Sequence, residues 1–548
     1  MAFRTNEYQQ MSMNDHLYNL TDRELRILKG SWAEEFANHI FPNLPEEPFS
    51  VLYSANDASK PNTPINIILG LLILKDQFDL TDEELMQQLL FNIQFQYALH
   101  TSSFEEQPIN DNTLRRFRNK VYEYEKLTGN DLIKEAFKTL AKKTSGIMEL
   151  KPSLGRVDSL MISSGCRRLS RLHIMHETLR LVAHQLKKGG KETPISEKYS
   201  DDTENKDIGY RLKNEDVMVR MEEMLRDAVA LYEEYPEEFN KSEAFTALRR
   251  MIDDQSKMTD DGRILKTGKQ ISPESMQTPH EQDATYRKKA GKGYVGFTGN
   301  IVEACDADKS LIMDYDLQKN TYSDTQFAED MLNAMPDGDS ETNTIVFDGA
   351  YVSTDTLDLA KTKNVEVVTT SLIGGLQGTF EAEFEIDGNG EIIKCPAGYS
   401  PNDSKHDNGY YQAHFNTEIC ENCEYCDRCP GIFQKNSALI KYSDTSLQRA
   451  MYEQQLGTGR YWELIKKRNG IESVNSVLRR TYGIDRMREK GVVRKRQRLG
   501  LKLMAINAKR LYKWMKSMGK QSSVSSPFFE IWFSCPFFFK IKVASVFI

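Results

Sequence analysis

Two short β-branched stretches each carry one carboxylate in an apolar setting: Val157-Asp158-Ser159-Leu160-Met161-Ile162 and Ile345-Val346-Phe347-Asp348-Gly349. Burying an acid without a partner is costly, so each needs a reason to be there. From residue 151 onward the chain reads as a strand around Asp158, then a charged helical stretch from Arg167 to about Lys257. Two strands resembling a hairpin follow (KGYVGFTGNIVEA and LIMDYDL), then a helix from Asp324 to Met335, the strand ending on Asp348, a helix from Thr354 to Lys363 and the strand VEVVTTSLIGG. This order, β(helical insert)ββαβαβ, favours an α/β fold with a mixed sheet flanked by helices, because connections are short and unknotted. Acids at the ends of its first and fourth strands converge at one edge, so Asp158 and Asp348 can be neighbours although 190 residues separate them. A local reading of Asp158 stands beside this one: a strand-end aspartate capping the next segment.

Residues 1–150 read as an all-helical domain. Thr21-x-x-Glu24 and Thr81-x-x-Glu84 are capping boxes, and the apolar run Ile65 to Leu74 is far too short to span a bilayer and should be core. Near the end of this block, NTLRRFRNKVYEY places Arg115, Arg116 and Arg118 in the first turns after a candidate N-cap, Asn112. That pattern suits a helix laid on DNA, and it equally suits an ordinary amphipathic helix with Leu114, Phe117 and Val121 inward.

A third carboxylate stands out by its company. Glu472 lies among Lys466, Lys467, Arg468, Arg479 and Arg480 on a segment with helical apolar spacing. From Lys466 to Lys516 there are 17 Lys and Arg against 3 acids, a local charge of +14 in a chain of net charge −8. Such segregation fits a polyanion docking on one face, with Arg494, Lys495, Arg496 and Arg498 binding duplex without reading sequence. The plainer alternative is a solvated basic helix.

The N-terminus has no apolar export segment, which points to a cytoplasmic protein. Five of the eight cysteines fall between Cys395 and Cys429, and in that compartment the clustering argues for metal before disulfides. A structural zinc held by Cys395, Cys420, Cys423 and Cys429, with Cys426 spare, is the expectation. An iron–sulfur cluster and free thiols in a loop are its rivals. Gly291 to Gly296 formally matches a dinucleotide fingerprint but opens a strand where the fingerprint must open a helix. The Phe-rich segment 521–548 is an atypical apolar tail interrupted by Glu530, Pro536, Lys540 and Lys542.

With Asp158, Asp348 and Glu472 assembled, the chain resembles the DDE transposases of bacterial insertion sequences, in the group with a cysteine-bearing insert. RVDSLMISSGCRRLSRLHIM is similar to that group's first-aspartate segment, IVFDGAY to its second, and RNGIESVNSVLRRTYGIDRMREKG to its glutamate helix. PFSVLYSANDASKPNTPINIILGLLILKDQFDLTDEELMQQLLF with NTLRRFR is similar to its helical N-terminal domain, so the likeness covers roughly residues 45 to 515. It implies an RNase H-like core over residues 151–520, with a helical insert at 166–280 and a cysteine-rich insert at 371–455. A related signature places an arginine four residues before the glutamate and a basic residue seven after it, which Arg468 and Arg479 satisfy. Its tyrosine falls on Ile465, a departure, with Tyr461 out of register.

The implied activity is strand cleavage and transfer at element ends, with Asp158, Asp348 and Glu472 as catalytic, metal-binding acids. Two-ion phosphodiester chemistry needs about three carboxylates, and an oxygen-only donor set suits Mg²⁺, with Mn²⁺ as substitute. Asp283, Glu303 and Asp306 are the runner-up acids. The expected partners are double-stranded DNA, both terminal repeats and target, and a second copy of the chain, with no membrane. A non-catalytic DNA-binding regulator, an inactivated transposase copy and an iron–sulfur redox protein are the competing readings.

Overall fold

The computed structural model describes residues 1–6, 15–56, 58–103, 107, 109–151, 154–200, 208, 212–236, 242–260, 262–289, 291–306, 309–335, 344–373 and 377–518. The apolar tail expected at 521–548 lies outside them. The chain divides into two compact units: residues 1–151 with 307–315 and 493 onward, and residues 152–306 with 316–492.

The first unit is helical, as expected. Its main helices are α1 (Asp22–Lys29), α2 (Ile65–Gln77), α3 (Asp82–Phe91), α4 (Asp111–Thr128) and α5 (Leu132–Ile147). Both capping boxes form: the Thr21 and Thr81 hydroxyls accept from the backbone N–H of Glu24 and Glu84, whose carboxylates accept in return from the threonine N–H. Helix α2 is buried nearly all round, which is what an apolar run without a polar face requires. Helix α4 starts two residues earlier than its sequence suggests. Asn110, not Asn112, is its N-cap, with Oδ1 accepting from Thr113 N at 2.9 Å. Gly129 ends it in the left-handed conformation at φ 77°. No helix of the described residues is long and apolar enough to cross a membrane.

The second unit is built on a six-stranded sheet, of whose fourth strand residues 309–315 group with the first unit. Its strands are β1 (Leu154–Ser163), β2 (Thr285–Lys289), β3 (Lys292–Asp306), β4 (Lys309–Lys319), β5 (Thr344–Phe347) and β6 (Glu366–Thr369). Their order is β2-β3-β1-β5-β6, with β4 also paired to β3. Strand β1 is antiparallel to β3 over its whole length, from Leu154↔Cys305 to Ser163↔Gly296, and parallel to β5, as β5 is to β6. Helices α9 (Asp324–Asn333) and α10 (Thr354–Thr362) follow β4 and β5 as the connections demand. Val157, Ile345, Phe347 and Val367 face their Phe327, Leu332 and Leu357, while Leu154, Val346 and Val368 pack with Tyr461. A mixed sheet covered by helices on both faces is the RNase H-like arrangement the sequence resemblance implied.

The insert between β1 and β2 folds α6 (Arg171–Lys188), α7 (Asn214–Glu234) and α8 (Glu243–Gln255) around a core of its own, including Met175, Leu179, Met224, Phe245 and Leu248. It is not helical throughout: a hairpin pairs Ser256–Thr259 with Gly262–Leu265. The cysteine-bearing insert is also more ordered than its loop-like composition suggests. Strands β7 (Asp403–Asp407), β8 (Tyr410–Phe415), β9 (Ile432–Phe433) and β10 (Ala438–Ser443) form a sheet in the order β7-β8-β10-β9, packed on Phe384, Ile392, Phe415 and Ile440. Then α11 (Asp444–Leu456) and α12 (Gly459–Arg480) return the chain to the main sheet, and α13 (Val492–Ser517) follows. Apart from its first residue, α13 groups with the helical first unit, not with residues 151–492 as the sequence reading had it.

Candidate active site

Asp158 stands at the middle of β1, not at its end. The parallel pairing with β5 stops at Arg156↔Val346, and two further residues on each chain bring Asp158 level with Asp348. Neighbouring strands run about 4.8 Å apart, so the two aspartates lie side by side on adjacent strands. The Asp158 carboxylate is oriented from two sides: Oδ1 accepts from Ser159 N at 2.9 Å, and Oδ2 accepts from Asn475 Nδ2 at 2.9 Å. Asp348 leaves β5 into a tight turn in which its Oδ1 accepts from Gly349 N at 3.0 Å. Only glycine fits there, since a Cβ at Gly349 would lie 2.2 Å from Ser371 Oγ and 3.0 Å from its carbonyl oxygen.

Helix α12 carries the third acid. Its first turn is tied to β6 by a two-pronged pair, Arg460 Nη1 and Nη2 to the Glu366 carboxylate at 2.5 and 2.7 Å. Farther along, Arg156 of β1 donates from Nε to Glu303 at 2.6 Å and from Nη1 to the Lys467 carbonyl at 2.7 Å. The guanidinium lies flat against Gly470: a Cβ there would come within 2.0 Å of Arg156 Nη1. A glycine in the interior of a helix normally weakens it. Here it lets α12 approach β1 closely enough to deliver Arg468, Glu472 and Asn475.

The three acids meet on one guanidinium. Arg468 Nη1 is 3.6 Å from Asp158 Oδ1, and its Nη2 is 3.8 Å from both Asp348 Oδ1 and Glu472 Oε1. The side chains grade from sheltered to open: 12% exposed for Arg468, 16% for Asp158, 42% for Asp348 and 62% for Glu472. Burial pushes the Asp158 carboxyl above the usual aspartate range, with Asp348 and Glu472 pushing the same way and Arg468 and the Ser159 N–H opposing. Three crowded carboxylates thus meet on one sheltered cation.

Family comparisons agree with this geometry. Residues 22–120 match the family model described as Transposase domain (DUF772), and residues 261–380 and 394–512 each match one described as Transposase DDE domain. Asp348 and Glu472 fall inside the two DDE segments. The chain belongs to the DDE transposases. No curated protein and no solved structure matches it. Asp158 lies between the matched stretches, and its place in the cluster rests on the strand register.

Transposases of this family use divalent metal ions, and the donor set here fits one: three carboxylates from three elements, oxygen only, around a point already occupied by positive charge. As placed, no three His, Cys, Asp or Glu side chains among the described residues are set to hold an ion between them. In the acid cluster, Arg468 stands among the three. The expectation of a zinc site finds no such support. Cys395, Cys420, Cys423, Cys426 and Cys429 line one pocket as free thiols, so Cys426 is not set apart. Burial and the neighbouring thiols push Cys420 up to about 11, and burial raises Cys429 as well. Cys395, Cys420 and Cys429 pack against the apolar core of the insert.

The cations expected on DNA divide into exposed and internal. Arg115, Arg116, Arg479 and Arg480 are exposed, although Arg479 also donates to Asp485 at 2.5 Å and to the Met161 carbonyl at 2.7 Å. Arg118 pairs with Asp82. Arg494 lies 3.9 Å over the Tyr122 ring and donates to Asn119, Arg496 pairs with Glu125, and Lys495 is fully buried. The three α13 cations thus serve the first unit's interior, a departure from the phosphate surface that their charge run suggested. Of the runner-up acids, Glu303 is fully buried against Arg156, Asp283 accepts from Val492 N at 3.4 Å, and Asp306 ends β3. Sequence reading missed Arg156, Gly470 and Asn475. The signal for the first two was a glycine inside a well-formed helix.

Proposed function

We propose that this transposase cuts and joins DNA strands at the ends of an insertion sequence, with Asp158, Asp348 and Glu472 as its catalytic acids. The observation that carries the reading is the convergence of those carboxylates, drawn from β1, β5 and α12, on Arg468. Mg²⁺ or Mn²⁺ held there would activate a water or a 3′-hydroxyl and stabilise the leaving oxygen. Asp158, kept in orientation by Ser159 and Asn475, would hold the ions together with Asp348 and Glu472. Arg468 and Arg479, one turn before and two turns after Glu472, hold backbone phosphates in line with the acids. Arg115, Arg116 and Arg480 add exposed positive charge for the duplex. Pairing two element ends calls for at least a dimer on DNA, and the reaction belongs in the cytoplasm.

The test is Mg²⁺-dependent cleavage of a labelled duplex carrying the DNA that flanks this gene, comparing wild type with Asp348→Ala. Cleavage at one defined end, lost in the variant while binding persists, is the expected result. Binding without cleavage by the wild type would instead favour a DNA-binding regulator or an inactivated copy.

A further inference from the structure

We propose that Arg468 is the resident counter-cation of the acid cluster, and that a DNA phosphate, by drawing its guanidinium away, opens the cluster to divalent ions. The inference rests on the reading of the three acids given above. Arg468 reaches all three carboxylates at 3.6–3.8 Å, within ion-pair range but too far for a hydrogen bond to any of them. Its Nη1 is buried and makes no hydrogen bond among the described residues. No hydrogen bond ties the guanidinium to the acids, so a partner that offers hydrogen bonds competes for it.

An incoming ion and the guanidinium cannot share this place. Carboxylate–Mg²⁺ bonds are about 2.0–2.1 Å long, and a guanidinium touching the same three carboxylates brings like charge against the ion. A phosphate offers Arg468 what the cluster does not, two parallel charge-assisted hydrogen bonds at about 2.7–2.9 Å. Arg156 is committed to Glu303 and the Lys467 carbonyl and cannot take over the vacated position. Displacement by phosphate and loading by metal are then two sides of one equilibrium, and linkage makes each favour the other. The consequence is an enzyme whose metal site is weak until DNA is bound.

The experiment titrates Mn²⁺ into the full-length protein and reads bound ion by electron paramagnetic resonance, with and without duplex from the gene's flanking DNA. In the absence of DNA, Arg468→Gln should bind Mn²⁺ about tenfold more tightly than wild type, a coupling of ordinary size. Arg468→Lys, which keeps the charge, should return toward the wild-type value. Duplex should tighten Mn²⁺ binding by the wild type and leave Arg468→Gln unchanged. Equal or weaker binding by Arg468→Gln, a Lys variant as tight as Gln, or no effect of duplex on the wild type would each overturn the displacement. Asp348→Asn separates this from failure of the underlying reading. If Asp348→Asn weakens Mn²⁺ binding but Arg468→Gln does not strengthen it, the triad stands and the displacement falls. If Asp348→Asn changes nothing, the ion is not in the cluster and both fall.

Discussion

At Asp158 the cost of burying a carboxylate is only partly offset by backbone and side-chain donors and a shared cation, so its carboxyl stays raised. The same logic runs the other way at Asp82, at the start of α3. Burial raises its proton affinity, but hydrogen bonds from Arg118 and Lys75 outweigh this and hold the carboxyl well below the usual aspartate range. A depressed carboxyl stabilises the fold above its ordinary value of 3.8 and loses that contribution as the pH falls toward the lowered one. Asp82→Asn should therefore cost about 1–2 kcal/mol at pH 7, a figure discounted for partial exposure, with the deficit shrinking in acid. Urea denaturation of both proteins between pH 7 and pH 3 checks this, and a deficit that stays constant with pH would refute it. The three acids that share Arg468 stood out in the sequence because a lone acid among β-branched residues, or among cations, is chemically conspicuous. Asn475 was not, since an asparagine on a polar helix has a dozen ordinary explanations.

At the level of elements, the site depends on how closely α12 lies against β1. The Arg156 guanidinium fills the space that a side chain at position 470 would need, and it is pinned on its other side by Glu303. Gly470→Ala ought to improve helix propensity by about 1 kcal/mol, and on an isolated helix it would. In this protein it should instead destabilise, by about 1–3 kcal/mol of overpacking, and lower cleavage at least as strongly as it lowers stability. Thermal unfolding together with cleavage rates measures both, and a stabilised, fully active Gly470→Ala would show that the close approach is not needed. The succession of strands and helices along the chain was readable from the alternation of apolar runs with helical stretches. The small sheet of the cysteine-bearing insert was not, because β7, β8 and β10 are only five or six residues each and are mixed with charged and aromatic side chains.

Across the whole chain, the charge run near the C-terminus changes meaning once it is folded. Part of what reads as a phosphate surface is neutralised inside the first unit: Arg498 Nη2 and Lys502 Nζ both reach Asp76 Oδ1 at 2.8 Å, and Arg496 meets Glu125. Composition cannot distinguish a cation that faces water from one whose acid partner lies hundreds of residues earlier. Asp76→Asn would leave two sheltered cations without their carboxylate, and should cost about 3–5 kcal/mol and release α13. Hydrogen exchange would show the loss as faster exchange throughout residues 493–517, whereas unchanged protection there would mean that packing alone holds the helix.

Because the helical unit that starts the chain is completed by α13, it cannot finish folding on the ribosome until residues beyond 493 have emerged. Synthesis therefore delivers the whole of the second unit before the first is closed. A premature stop or frameshift between Glu472 and the start of α13 yields a chain missing part of its first unit's core.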